Sequence, residues 1–344
     1  MDLHANVTTP TPASTPPPTA STPDSIALRA GMEIPRLLLP EPGRVFAQRA
    51  LRLRQLAAGH AMRDYLMLLA LVCEAQHARV QQGPAPALPA QAQRDAAARA
   101  GEPLLDAVAW PRDPQWRIEL RALAADVLAR MPADSPARAA VQGVAGLADA
   151  ALEQQAERLL AGITLGLDMG AAPLIAAGLQ LYFTRLAAAC GAVPADAVSA
   201  DAVPGQAATH CPCCGSLPVA SLTRLGGQQE GQRYQHCTLC STQWHADRVR
   251  CTHCGATDGL QYLSLQAAAA PAGDARKRPA VEAETCDHCG QYLKIMHAAS
   301  DLHVEPVADD LATLTLDLLV ADAGFSRHGA NLLLLFGEAE SAPA

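Results

Sequence analysis

Four C-x-x-C pairs constrain this chain more than any other feature. They fall at Cys211/Cys214, Cys237/Cys240, Cys251/Cys254 and Cys286/Cys289. Two residues between thiols is the spacing of a metal knuckle, because a tight turn lets both sulfurs converge on one tetrahedral ion. Glycine follows the second cysteine at 215, 255 and 290, which suits a turn that must leave in a left-handed conformation. One pair alone says little. Four pairs supply eight thiolates, enough for two closed four-cysteine sites.

Loop lengths favour sequential grouping. Twenty-two residues separate Cys214 from Cys237 and 31 separate Cys254 from Cys286, but only ten separate Cys240 from Cys251. Cys211, Cys214, Cys237 and Cys240 then make one site, and Cys251, Cys254, Cys286 and Cys289 the other. A cross-braced grouping, first pair with third and second with fourth, stays open. Four thiolates suit Zn²⁺ or a single iron, and the sequence does not choose between them. The metals staple a region with little core of its own. A catalytic zinc needs an open position for water, which two full quartets do not leave. No Ser-His-Asp set, P-loop or paired-carboxylate signature stands out, so the chain reads as a non-enzyme.

Cys213 is the odd thiol of "CPCCGS", read as a bystander pointing away from the metal, with a swap for a neighbouring ligand as the alternative. Cys73 and Cys190 sit in apolar helical contexts and read as small buried hydrophobes. His210, His236, His245, His253 and His288 lie in or beside the metal region, but eight cysteines leave no ligand position for them. Trp244 and Tyr262 are expected in the small β cores. Arg248 and Arg250 flank the third knuckle, as surface contacts or as solvated charges.

Reading the cysteines as metal ligands needs a reducing compartment. Residues 1–23 are Thr/Pro/Ala/Ser-rich, with no basic segment, apolar stretch or arginine pair of an export signal, and read as a disordered tail. The longest apolar runs, "YLMLLALVC" (65–73) and "AAPLIAAGL" (171–179), fall short of the ~20 residues of a membrane span. A cytoplasmic chain without stable membrane insertion is the expectation. A net charge of −8 argues against a general nucleic-acid binder, which needs a basic face for phosphates.

With aromatics at only 3%, the alanine- and leucine-rich composition favours helix. "IPRLLLPEP" (34–42) is extended, because its prolines break any helix. Helical spacing runs from Gly43 to about Gln82, with a break at Gly59, and "QQGPAPALPA" (81–90) is a loop. Further helices are predicted over 113–131, opened by Asp113 and Pro114, over 135–162 and over 171–191. The predicted organisation is a tail (1–23), an all-α bundle of five to seven helices (24–192), a linker (193–210), metal modules at 211–250 and 251–305, and a C-terminal helix and tail (306–344). The fold class is α+β: an N-terminal all-α helical bundle, two tandem rubredoxin-like or zinc-ribbon modules, and a C-terminal helix.

Beyond the knuckles, longer stretches carry a resemblance. They are "CPCCGS" (211–216), "RYQHCTLCSTQWHADRVRCTHCG" (233–255), "AETCDHCGQYLKI" (283–295) and "EPVADDLATLTLDLLVADAGFSRHGAN" (305–331). With "IPRLLLPEPGRVFAQRALRLRQLAAGHAMRDYLMLLALVCEAQHA" (34–78) and "LQLYFTRLAA" (179–188), they resemble the formate dehydrogenase accessory protein FdhE family over residues 34–331. The resemblance implies a cytoplasmic, chaperone-like maturation factor. Its partner would be the catalytic, molybdenum-containing subunit of respiratory formate dehydrogenase, bound before export through the twin-arginine pathway. It also implies two metal ions, iron or zinc, on the eight paired cysteines. The family's metal sites are rubredoxin-like, so an iron electron-transfer role is the alternative, with a zinc-ribbon nucleic-acid binder behind it. Cys213 falls at a variable position of the family's first knuckle, and the alanine-rich loop at 267–280 reads as a surface insertion. A homo-oligomer is left open.

Overall fold

The computed structural model describes residues 34–191, 209–226, 229–265 and 278–335. The expectations for the 1–23 tail and for most of the 193–210 linker and 267–280 insertion fall outside those residues. All that follows belongs to one unit, Pro35–Ala344.

Among the described residues, seven helices precede the first knuckle: α1 (Pro42–Ala57), α2 (Arg63–Gln82), α3 (Gln91–Ala100), α4 (Gln115–Arg130), α5 (Arg138–Gly146), α6 (Asp149–Leu160) and α7 (Ala172–Cys190). In α1 the buried residues Phe46, Arg49, Ala50, Leu53 and Ala57 recur at helical spacing and form one face. The break after α1 falls at Gly59, whose φ of 72° is left-handed. Asp113 Oδ1 accepts from Gln115 N at 2.9 Å, capping α4. The single helix predicted over 135–162 is two, because Leu147 and Ala148 are extended between α5 and α6. The helix α3 was not predicted.

The buried helix α7 carries apolar residues on every side. Its first-turn Pro173 costs no hydrogen bond. Gly178 lets α4 approach, since a methyl there would lie 3.0 Å from Leu120 Cδ1. By length and composition α7 could cross a membrane, but 78% of its apolar window is buried inside the fold. Judged as an uninterrupted run it stops at Leu179; as a helix it continues through Gln180, Thr184 and Arg185.

The strands are β1 (Leu37–Leu38), β2 (Pro218–Thr223), β3 (Arg233–Cys237), β4 (Gln243–Ala246), β5 (Leu260–Leu263), β6 (Val281–Cys286), β7 (Gln291–His297) and β8 (Ser326–Arg327). They form one sheet in the order β1-β4-β3-β2-β7-β6-β5, with β8 beside β7. Each half repeats one plan: knuckle, two antiparallel strands, knuckle, third strand. The halves join where β2 runs parallel to β7, with Ser221 opposite Ile295. The two predicted modules are therefore halves of one eight-stranded sheet rather than separate ribbons. The extended 34–42 segment supplies an edge strand, Leu37 opposite Trp244.

The C-terminal helix predicted within 306–344 is broken into α8 (Pro306–Ala312) and α9 (Leu314–Asp322). Thr313 sits at the break. Its hydroxyl donates to Asp309 O at 2.7 Å, and Lys294 Nζ takes the carbonyls of Asp310 at 2.9 Å and Thr313 at 3.1 Å. Carbonyls engaged by side chains interrupt the helical ladder.

One buried cluster runs from Phe46 in α1 through α7 and the first cysteine quartet to Leu333. Ion pairs reinforce it. Arg49 Nε donates to Glu305 at 3.0 Å, and Arg52 Nη2 to Asp309 at 2.6 Å. Glu305 also accepts from Ala308 N at 2.8 Å, capping α8. Asp310 pairs with Lys294 at 3.2 Å and Arg327 at 2.7 Å. The acidic residues of "EPVADDL" thus tie α1, β7 and β8 to α8.

Candidate metal centres

The four knuckles share one backbone geometry. In the first, Gly215 N donates to Cys211 O at 2.8 Å and Cys211 N to Ser216 O at 2.8 Å; in the third, Gly255 N donates to Cys251 O at 3.0 Å and Cys251 N to Ala256 O at 2.8 Å. In the second, Leu239 N and Cys240 N each donate to Cys237 Sγ at 3.4 Å, so amides face the sulfur. The residue after each second cysteine is left-handed: Gly215 at φ 74°, Gly255 at 78°, Gly290 at 66° and Ser241 at 59°. Ser241 is the one non-glycine with positive φ among the described residues. Its place in the pattern was legible only by aligning the knuckles, because the residue type conceals it.

These turns bring the thiols together in the sequential grouping. In each of the two sets, Cys211/Cys214/Cys237/Cys240 and Cys251/Cys254/Cys286/Cys289, the four sulfurs lie within 4.8 Å of one another. Cys211 and Cys240 Sγ are 3.6 Å apart and Cys214 and Cys237 Sγ 3.4 Å. In the second quartet the spacings are 3.7 Å for Cys251–Cys289 and 3.7 Å for Cys254–Cys286. A tetrahedral ion with ~2.3 Å bonds to sulfur holds its ligands about 3.8 Å apart, so the donor set fits. Disulfides, at ~2.05 Å, do not. Each quartet could hold one metal ion.

The sulfurs do not ionise alike. Burial pushes Cys211 and Cys237 well above the ordinary thiol range. Burial also acts on Cys240, but hydrogen bonds from the Cys211, Cys213, Cys214 and Cys237 thiols outweigh it and hold Cys240 well below that range. In the second quartet the Ala256 N–H and the Cys251, Cys286 and Cys289 thiols outweigh burial and lower Cys254. A cation bound by either quartet would displace its thiol protons.

The two sites differ in access. All four cysteines of the first quartet have 0% exposure. The helical region covers them: Leu105 N and Ala107 N donate to Cys213 O and Cys214 O at 2.9 Å, and Gln180 Nε2 donates to Thr238 O at 2.8 Å. In the second quartet Cys254 is exposed and Cys289 half-buried. Spacing alone could not reveal this asymmetry.

Cys213 does not point away. It is 2% exposed, and its thiol hydrogen-bonds Cys240, which with burial keeps Cys213 protonated. It packs against the first quartet without being one of its four members. Among the described residues no histidine joins either quartet. His236 lies buried beside Cys237, and burial with Arg49 nearby pushes it down to about 3. Burial raises Cys73 to about 12. Trp244 is buried as expected, whereas Tyr262 is 37% exposed and donates to Glu284. Arg250 donates to Asp247 at 2.7 Å.

Comparison with known proteins places this architecture. Family profiles described as FdhE N-terminal, FdhE central domain and FdhE C-terminal domain match residues 34–198, 210–248 and 249–334. A curated FdhE homologue from Cronobacter sakazakii is 38% identical over 312 residues, covering 91% of this chain and 95% of its own. A Salmonella dublin FdhE is 38% identical over 307 residues, covering 89% and 93%. The crystal structure of the FdhE protein from Pseudomonas aeruginosa superposes with a TM-score of 0.72 at 34% identity, over 88% of this chain and 100% of that one. In its helical half, both halves of its cysteine-bearing sheet and its C-terminal helices, the chain belongs to the FdhE family.

Proposed function

We infer that the chain is a formate dehydrogenase accessory protein. It acts in the cytoplasm as a chaperone-like maturation factor that binds the molybdenum-containing catalytic subunit of respiratory formate dehydrogenase before export. The observation carrying this reading is family membership along nearly the whole chain, with both cysteine quartets assembled. The eight cysteines hold two metal ions, iron or zinc, that brace the sheet; the protein works by binding rather than turnover. The test is affinity capture with the full metal-loaded chain under anaerobic conditions. Recovery of the catalytic subunit is expected, and its absence refutes the reading.

A second reading, rubredoxin-type electron transfer to that client, draws support from exposed Cys254, which brings the second site to the surface. It requires iron and a reversible visible spectrum after anaerobic, iron-rich production. Protein that then holds only zinc and stays colourless removes it.

A further inference from the structure

A cleft of about 670 Å³ opens between α1, the β2–β4 face and the start of α8. It is large enough for a small organic ligand, whose pockets span roughly 300–1,000 Å³. Its walls are mixed: Leu38, Leu222 and Val304 form an apolar patch, and the polar residues His236, Ser241 and Gln243 line it with several charged side chains. His236 is 4% exposed, and neither ring nitrogen has a hydrogen-bond partner. A buried polar side chain left unpaired is costly, so a group that pairs with it in the cleft is favoured.

Charge selects the group. Glu41 is paired with Arg44 at 3.2 Å, and Glu305 with Arg49 at 3.0 Å. Arg224 also lines the cleft and donates to Gln243 Oε1 at 2.7 Å, with no carboxylate partner among the described residues. Of the two guanidiniums lining the cleft, Arg44 is paired with Glu41 and Arg224 has no carboxylate partner among the described residues, so the Arg224 fork is the one left to match a carboxylate or phosphate.

We propose that this cleft binds a small organic anion, its carboxylate or phosphate on Arg224 beside His236 and its hydrocarbon body against Leu38, Leu222 and Val304. Ser241 links it to the first quartet, since it follows Cys240 directly and lines the cleft. The inference goes beyond the client-binding reading, which stands or falls separately.

The test is calorimetric titration of the metal-loaded full chain with hexanoate, hexyl phosphate, inorganic phosphate and hexanol. Saturable binding of hexanoate identifies a carboxylate ligand, and of hexyl phosphate a phosphate ligand. Arg224→Met, at unchanged metal content, weakens that binding by about tenfold or more, the loss of a charge-assisted contact, and Arg224→Lys restores part of it. The His236 ring resonances shift on binding. Absence of saturable binding by either organic anion, equal binding of hexanol, inorganic phosphate binding as tightly as hexyl phosphate, or unchanged affinity in Arg224→Met overturns the proposal.

Discussion

The buried pair Arg233–Glu284 joins the two halves of the sheet, and its removal is the sharpest test of that union. The side chains are 1% and 3% exposed. The contact is bidentate: Arg233 Nη2 donates to Glu284 Oε1 at 2.8 Å and Nη1 to Oε2 at 3.0 Å. The guanidinium also donates to Ser221 Oγ at 2.9 Å, Thr252 Oγ1 at 3.2 Å and Arg250 O at 3.3 Å. Glu284→Gln leaves that guanidinium buried and uncompensated, which costs about 3–5 kcal/mol. That is a large fraction of the ~5–15 kcal/mol holding a typical domain together. Arg233→Met costs a similar amount by stranding the carboxylate. The double variant Arg233→Met/Glu284→Leu removes both charges, so its loss is no greater than either single loss, the remainder being the Tyr262 hydroxyl that loses Glu284, since Ser221 and Thr252 keep Gln235. Urea unfolding of metal-loaded protein, followed by tryptophan fluorescence and circular dichroism, measures all four corners of the cycle. Additive losses, about 6–10 kcal/mol in the double variant, refute the argument that the pair acts as one buried unit.

Under a chelator the second quartet loses its metal first, because Cys254 is exposed while the first quartet has no exposed sulfur; metal content against time gives two phases, and Cys254→Ser removes the fast one. Gly329→Ala destabilises by at least ~2 kcal/mol, since φ is +92° and the new methyl would lie 2.1 Å from Pro218 O, whereas Gly59→Ala, in open space, costs only about 1 kcal/mol in the same urea assay. Glu153 is raised by burial, but Trp116, Arg112 and Arg117 outweigh this and hold it below its ordinary value of 4.5. Its folded-state value being depressed, its contribution is full above 4.5 and lost as pH falls through the lowered value, so the stability gap between wild type and Glu153→Gln narrows on acidification. A constant gap contradicts this.

The cysteine knuckles were legible because their geometry is local. Two residues between thiols fix the turn, and the glycines at 215, 255 and 290 mark its left-handed exit. Ser241 escaped because its φ of 59° is imposed by the turn and not advertised by the residue type. The Gly59 break and the Asp113 cap were legible for the same local reason. The breaks at Leu147 and Thr313 were not: apolar periodicity continues across both, and Thr313 is interrupted by Lys294, which approaches from another element.

By itself the sequence determined that two groups of four thiols were available, that helices would precede them and which family the motifs resemble, since short-range spacing carries all three. Tertiary structure decided what spacing cannot encode. The parallel pairing of Ser221 with Ile295 merges two modules into one sheet, and no local pattern marks a contact between strands so far apart in sequence. The helical region closes over the first quartet through Leu105, Ala107 and Gln180, leaving the second open at Cys254. Whether a thiol is buried or exposed depends on which distant surface packs against it, and that is settled only when the whole chain has folded.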